Sequence, residues 1–354
     1  MKTLKHICMT LCGIVLCTNF AACSDEEDSN RVVKTIHVET AGTLPSLISA
    51  EEITQTTDLT LSGYINGTDV KVIRKMSSLK RADFTNLHIV GGGDYYDSVD
   101  LDIEYRTQDN IFPVWFFHGF YWLDEIKLPN SVTEIGNSAF FGCTGLTSVE
   151  IPNGVTKIGE LSFNMCENLT SIKIPNSITE IGNNAFKDCT GLTSVEVPNS
   201  VTKIGYNAFQ NCTDLTTVKL SNNVTELDYT FEGCTSLISV EIPDSVTTLN
   251  STFSGCSSLA SIEIPNSVTT LDGTFSGCTS LASIEIPNSV TEIGSWTFAD
   301  AGLKELHIKN STPPNVAENA FSTYAYVTLY VPIGSKDAYM QHEIWGKFGN
   351  IVEE

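Results

Sequence analysis

The stretch that decides the fold is LASIEIPNSVT, which occupies residues 259–269 and occurs again, unchanged, at residues 281–291. Close variants of this phrase begin at Leu146, Leu169 and Leu192. Cysteines mark the length of the whole unit, which is first 23 and later 22 residues: Cys143, Cys166, Cys189, Cys212, Cys234, Cys256 and Cys278. A fixed period in this range is typical of a solenoid made of stacked coils.

Apolar and polar residues alternate inside each unit, which predicts a short strand followed by a turn. In SVEI, Val149 and Ile151 should point inward. Ser148 and Glu150 should point outward, and the Pro-Asn pair that follows has the composition of a turn. One unit cannot bury its apolar residues alone. Stacked units bury them in one continuous column, in which we expect Phe140 and its equivalents to face inward.

The unit reads L-x-x-V-x-I-P-x-x-V-x-x-I-G-x-x-A-F-x-x-C-x-x, and seven units carry the whole pattern. It resembles the BspA-like, Treponema pallidum-type leucine-rich repeat of surface proteins from Bacteroides and related bacteria. The resemblance extends from about Leu79 to the C-terminus. It implies a leucine-rich repeat solenoid whose curved parallel β-sheet faces one side, with short turns or helical pieces on the outer side.

The N-terminal segment predicts export. A basic start, MKTLKH, precedes an apolar stretch that is too short to span a bilayer comfortably, so residues 1–22 are predicted to be a signal peptide. Ala21, Ala22 and Cys23 resemble a bacterial lipobox, in which Cys23 would carry the lipid. The acidic tether 23–31 resembles the tag that sends Bacteroides-type lipoproteins to the outer-membrane surface. The alternative is a plain secreted protein.

The two ends of the repeat region read as caps. Residues 32–78 alternate strand-like and helix-like pieces, which predicts a small α/β cap. The solenoid is predicted over 79–334, with an insertion of uncertain form at 88–110 and VTLYVP as the last coil. Residues 335–354 are predicted to be a helical cap.

The charge balance restricts the partners. The chain of 354 residues has 42 acidic and 20 basic residues, a formal charge of −22. Such a surface repels nucleic acid and anionic lipid, so we expect no nucleic-acid partner and membrane contact only through the N-terminal lipid. Basic proteins and divalent cations are compatible with it.

No arrangement of residues in the sequence points to catalysis. The chain has no H-E-x-x-H, no G-x-S-x-G and no phosphate-binding glycine loop. The seven repeat cysteines lack the paired spacing of a zinc site, and we interpret them as small buried residues. We therefore expect no enzyme, no cofactor and no metal.

Outward-facing charges form two columns along the predicted sheet. The first contains Lys127, Glu150, Lys173, Glu196, Lys219, Glu241, Glu263, Glu285 and His307, and the second contains Glu134, Lys157, Glu180, Lys203, Glu226, Thr248, Thr270 and Glu292. Their signs alternate up to Glu226, which predicts attractive pairs that either secure the register or read a ligand.

The alternation breaks at Glu241, Glu263 and Glu285, for which neither column offers a lysine. Adjacent like charges cost about 0.8 kcal/mol in water at the spacing of a sheet. With Glu292, these residues form one candidate ligand surface, for a cation or a basic partner. The alternative is recent duplication of one acidic unit.

Aromatic residues form the second candidate surface. Trp115, Tyr121 and Trp122 occupy positions where other units carry small or polar residues in turns. Exposed aromatic rings at these turns would stack on a sugar or anchor a protein. The alternative is that the 88–110 insertion covers them.

The expected function is recognition of a large molecule by a long surface. The resemblance implies a surface-displayed adhesion lipoprotein, a monomer that binds host matrix or cell-surface proteins. The alternative is a carbohydrate-binding accessory lipoprotein.

Overall fold

The computed structural model describes residues 31–97 and 104–354. The predicted signal peptide and Cys23 lie outside the described residues. The leucine-rich repeat solenoid predicted from the 22- and 23-residue units is confirmed, because successive units pair as parallel strands in register, such as Val149 with Ile172.

The main sheet begins in the N-terminal cap and continues through the repeats. Its first strands are β1 (Val33–Val38), β2 (Asp58–Ile65) and β3 (Arg81–Ile89). The repeat strands that follow are Glu125–Lys127, Ser148–Glu150, Ser171–Lys173, Ser194–Glu196, Thr217–Lys219 and Ser239–Val240. After an interruption, the same side of the solenoid continues as a four-stranded sheet of Ser283–Ile286, Glu305–Ile308, Thr328–Val331 and Asn350–Glu353.

A second row of two-residue strands lies where the sequence predicts only inward-pointing residues after the turn. The first group is Ile111–Phe112, Glu134–Ile135, Lys157–Ile158, Glu180–Ile181 and Lys203–Ile204. The second group is Thr270–Leu271, Glu292–Ile293 and Asn315–Val316. Each coil therefore has two hydrogen-bonded sides, and turns make up the remainder.

A stack of phenylalanine rings runs through the core of the repeats. Its members are Phe112, Phe140, Phe163, Phe186, Phe209, Phe231, Phe253, Phe275, Phe298 and Phe321, and neighbouring rings are parallel within 17°. Ring centroids lie 5.1–6.1 Å apart. Paired parallel strands are about 4.8 Å apart, so neighbouring coils are slightly further apart at the ring stack than at the strands.

The repeat cysteines are buried and free, as predicted. Each thiol donates to the carbonyl of a phenylalanine in the preceding coil, at 3.1–3.3 Å. Cys189, for example, donates to Phe163. The side chain at this position is therefore small and apolar, yet it satisfies a buried acceptor.

The 22-residue units lose a glycine, and two of them replace the hydrogen bond that it made. In the longer units, the Gly159 and Gly182 amides donate to the Ile135 and Ile158 carbonyls of the preceding coil. The shorter units lack this glycine and carry a buried threonine in place of alanine. The hydroxyl of Thr274 donates to the Leu249 carbonyl at 2.9 Å. At Thr252 and Thr274, therefore, threonine replaces the donor that the deletion removed.

We expect Thr274→Val to lower the free energy of unfolding by about 1–2 kcal/mol, because the Leu249 carbonyl loses a buried donor. Thr230→Val is the matched control. The Thr230 hydroxyl has no hydrogen-bond partner, so valine should be neutral or stabilising at that position. Urea unfolding of both variants measures the difference, and equal losses would contradict the role assigned to the hydroxyl.

The N-terminal cap contains short helices α1 (Leu44–Leu47), α2 (Ala50–Gln55) and α3 (Gly67–Ile73). Ser49 and Asn66 begin α2 and α3 as capping boxes. The buried Asp69 carboxylate accepts the amides of Gly42, Leu44 and Asn66, which ties the loop before α1 to the start of α3.

The predicted insertion contains an antiparallel hairpin of β4 (Gly92–Asp97) and β5 (Glu104–Thr107). It lies against the start of α3, where the Asp94 amide donates to the Thr68 hydroxyl at 3.0 Å. A Cβ on Gly67 would stand 2.0 Å from the Asp94 carbonyl, so this contact requires glycine.

The C-terminal cap contains α4 (Lys336–Gln341) and a 3-10 helix, Trp345–Lys347. Trp345 is buried, donates to the Pro314 carbonyl at 2.9 Å and closes the ring stack against Phe321. The expectation that VTLYVP forms the last coil is wrong. The strand Asn350–Glu353 adds one more to the sheet, because its alternating residues place Ile351 in the core.

Candidate binding surfaces

The structure places the two predicted charge columns on different sheets, the first on the exposed face of the main sheet and the second on the second row of strands. In the first column, Lys219 pairs with Glu196 at 2.5 Å. In the second, Lys203 pairs with Glu180 at 2.9 Å, and this hydrogen bond raises the pKa of Lys203. Such exposed pairs contribute little stability. They favour one register, because a slip by one coil would bring like charges together.

Not every pair forms as the alternation suggests. Lys127 bonds to Asp83 of β3 at 3.1 Å, rather than to Glu150. Lys157 lies 3.6 Å from Glu134, as expected. The outward column therefore continues one strand earlier, to Asp83 of β3.

The candidate surface of Glu241, Glu263, Glu285 and Glu292, called the acidic strip below, is shorter than the sequence suggests. Glu285 has a lysine partner outside both columns, since Lys309 lies 3.1 Å from its carboxylate. Lys309 lies in the next coil after Glu285, at the position where most earlier units have the proline of the turn. Across the described part of the chain, Glu241, Glu263 and Glu292 form no ion pair, and Glu292 lies on the second row of strands.

The main sheet is interrupted at the middle of this strip. Residues 261–264 have the sequence SIEI but no assigned strand, whereas the identical letters at Ser283–Ile286 form one. The letters are the same, so the neighbours decide the difference. In the first column Glu263 lies between Glu241 and Glu285, and of these three residues only Glu285 has an ion-pair partner, Lys309. A shallow groove lined by Ser239, Glu241, Ser261 and Glu263 crosses the interruption, and an equivalent groove with lysines in its lining lies over the continuous part of the sheet.

Two of the three predicted aromatic residues are exposed. Tyr121 is 59% and Trp122 68% exposed, so the described part of the insertion does not cover them. Trp115 is only half-exposed, because its ring packs 4.5 Å from the His118 ring and 6.0 Å from Phe141. The Trp115 ring is therefore largely occupied by internal contacts.

A third set of exposed rings was not predicted from the sequence. Tyr206, Tyr229 and Trp296 are 53%, 42% and 60% exposed, respectively, on turns between the second row of strands and the ring stack. Other units have polar residues at the position of Tyr206, and mostly serine, asparagine or glycine at the position shared by Tyr229 and Trp296. The same positional comparison that singled out Trp122 would have found them.

The described residues contain neither a metal-binding cluster nor a membrane-spanning helix. Across 31–97 and 104–354, no three His, Cys, Asp or Glu side chains are grouped so that they could bind a metal ion. In the same ranges, no helix has both the length and the hydropathy needed to cross a bilayer.

Comparison with known proteins identifies the repeat. The model of the family described as "BspA type Leucine rich repeat region" matches in six copies at residues 113–230 and 227–328, more than half of the chain. The chain belongs to this family. A BspA-type leucine-rich repeat protein is, in general, an interaction module, and the solenoid is typically a binding scaffold without catalytic activity. The comparison with curated proteins gave no match.

Three solved structures are similar to parts of this BspA-type protein, and the first supports the fold. A leucine-rich repeat protein from Bacteroides ovatus is 26% identical, with a TM-score of 0.60, over 78% of this chain and 69% of that one. The T. pallidum leucine-rich repeat protein is 34% identical over 42% of this chain and 72% of its own, with a TM-score of 0.40. A leucine-rich cell surface protein from Faecalibacterium prausnitzii is 24% identical over 91% and 83%, with a TM-score of 0.44.

Proposed function

We propose that this BspA-type protein is a surface-displayed adhesion lipoprotein that binds a macromolecule along the exposed face of its main sheet. The observation that carries the proposal is the acidic groove at Glu241 and Glu263, where the sheet is interrupted and the alternation of charge stops. Stacked carboxylates without a cation reduce stability. A partner with basic side chains would remove this repulsion, and the opposite charges would favour its binding.

The proposed partner is a basic protein of the host matrix or cell surface. The net charge of −22 supports a basic partner and disfavours nucleic acid. Export, lipidation at Cys23 and anchoring in the outer membrane are part of this proposal, supported by the lipobox-like sequence and the acidic tether. The lipid would be the only membrane contact, and the mature protein would be a monomer.

A carbohydrate-binding accessory function is the second candidate. Adjacent, strongly exposed rings at Tyr121 and Trp122 favour it, since aromatic faces stack on sugars. This candidate uses the turn before a main-sheet strand rather than the sheet face, so mutations can separate the two functions.

The test uses the chain with Cys23→Ser, which cannot be lipidated, against arrays of extracellular-matrix proteins and glycans. We expect binding to basic matrix proteins that weakens with salt, and a further loss of about ten-fold in Glu241→Gln/Glu263→Gln. Glu150→Gln is the matched control, because the first column places Glu150 between Lys127 and Lys173.

Three outcomes decide between the candidates. Equal losses in Glu150→Gln and the double variant would show a general charge effect and reject the groove. Unchanged affinity in the double variant would also reject it. Glycan binding that disappears in Trp122→Ala, without binding to matrix proteins, would establish the second candidate instead.

A further inference from the structure

One residue per coil adopts a left-handed backbone conformation directly after the second row of strands. These residues have φ of 48–60° and are Trp115, Ser138, Leu161, Asn184, Asn207, Tyr229, Ser251, Gly273 and Trp296. Glycine and asparagine adopt this conformation readily, whereas bulky side chains are strained in it. Backbone geometry therefore does not explain why this column contains aromatic residues.

Packing explains one of the three aromatic residues. The Trp115 ring contacts His118 and Phe141. Tyr229 and Trp296 lack such support: within the described ranges, neither ring contacts another ring, and neither the Tyr229 hydroxyl nor the Trp296 indole N–H is hydrogen-bonded. Both residues combine backbone strain with exposure of a large apolar surface, and strained residues concentrate at functional sites.

Tyr229 and Trp296 lie at the two ends of a surface on the outer side of the solenoid, which we call the shelf. Tyr229 and Trp296 occupy equivalent positions three coils apart, and the intervening positions are Ser251 and Gly273. The phenylalanines two residues further along give the coil spacing in this region, 5.7–6.1 Å. Two small residues therefore form a floor between an aromatic ring at each end.

Polar side chains run beside this floor. The residue before each left-handed position is, in coil order, Asp228, Asn250, Asp272 and Ser295. The Asp228 carboxylate accepts both the amide and the side-chain N–H of Asn250 at 3.1 Å, which fixes this part of the row. Asp272 is exposed. One coil before Asp228, the exposed Tyr206 continues the row beside a small depression.

We propose that this shelf, from Tyr229 to Trp296, binds a neutral oligosaccharide. Sugar rings present apolar faces that stack on aromatic rings and hydroxyls that bond to carboxylate and amide oxygens. The carboxylates of Asp228 and Asp272 disfavour sulfated or other anionic glycans. Tyr229 and Trp296 lie on turns that follow the second row of strands, not on the main sheet. The shelf is therefore independent of the sheet-face function proposed above.

The variants Tyr229→Asn and Trp296→Asn test this site with little risk to folding. Asparagine already occupies this position at Asn184 and Asn207 with φ of 55° and 57°. The full chain carrying Cys23→Ser is screened on an array of neutral and sulfated oligosaccharides, and the best neutral probe is titrated by calorimetry. We expect each variant to weaken binding at least about ten-fold, with an unchanged or higher melting temperature.

Leu161→Asn is the matched control, because it makes the same change in the same column outside the shelf. It should leave the affinity unchanged, as should Glu241→Gln/Glu263→Gln on the sheet face. The proposal is overturned if no neutral oligosaccharide binds, if only sulfated glycans or basic proteins bind, or if both asparagine variants keep full affinity. It is also overturned if Trp122→Ala alone abolishes the sugar binding.

Discussion

Raising the pH above 9 should unfold this BspA-type protein within about one to two pH units, through its buried thiols. The seven repeat cysteines are free and buried. Burial raises the pKa of Cys234 and Cys278 from 9.0 to about 12. Burial and the neighbouring thiols raise the pKa of Cys189 and Cys212 well above 9.0.

The sign follows from where the protons are bound. Above pH 9 the thiols of the unfolded chain lose their protons, whereas those of the folded chain keep them. The unfolded state then binds fewer protons, so the free energy of unfolding decreases as pH rises and continues to do so until the folded thiols ionise. One thiol costs about 1.4 kcal/mol per pH unit. Seven thiols together lower the free energy of unfolding by about 10 kcal/mol per pH unit, which is comparable to the stability of an ordinary domain.

Urea unfolding at pH 7, 9 and 10, followed by far-UV circular dichroism, measures this slope. The matched variant is Cys189→Ala, which removes one ionisable thiol and one donor to Phe163. Alanine lowers the stability at every pH, so the slopes are compared: the variant should release one proton fewer. Thiolate absorbance that develops while the native spectrum persists would show accessible thiols and contradict the prediction.

The sequence predicts the repeat well because one physical requirement determines it. Inward residues such as Val149 must alternate with outward ones such as Glu150, and every unit must repeat this to bury its neighbour. The positions of Phe140 and Cys143 in the core follow from the same periodicity. The second row of strands was not predicted, because two residues such as Lys157–Ile158 are too short for a recognisable alternation.

The binding surfaces are less predictable because they depend on contacts between distant residues. Nothing in the local sequence indicates that Lys309 reaches Glu285, or that Trp115 packs against His118. The left-handed conformation of Tyr229 is likewise imposed by the coil geometry and not by the residue. Exposure of Tyr121 and Trp122 was predictable, because both break a pattern of small residues at a turn.

The largest single-residue effect on stability should come from Phe186→Ala. The Phe186 ring is buried and parallel to those of Phe163 and Phe209, each at 5.3 Å. Alanine leaves a cavity in the middle of the stack, and we expect a loss of about 3–5 kcal/mol in the free energy of unfolding. Each coil contacts only its neighbours, so the weakened interface should also divide the cooperative urea transition into two.

The control for this change is Tyr206→Ala, which truncates an exposed aromatic ring close to Phe209 in the chain and should alter stability by no more than about 0.5 kcal/mol. Phe186→Leu keeps most of the volume and should lose less than Phe186→Ala. If alanine costs no more than leucine, the ring stack is not the column that holds the coils together. The continuous core would then have to come from the aliphatic residues of the two strand rows, such as Ile172 and Ile181.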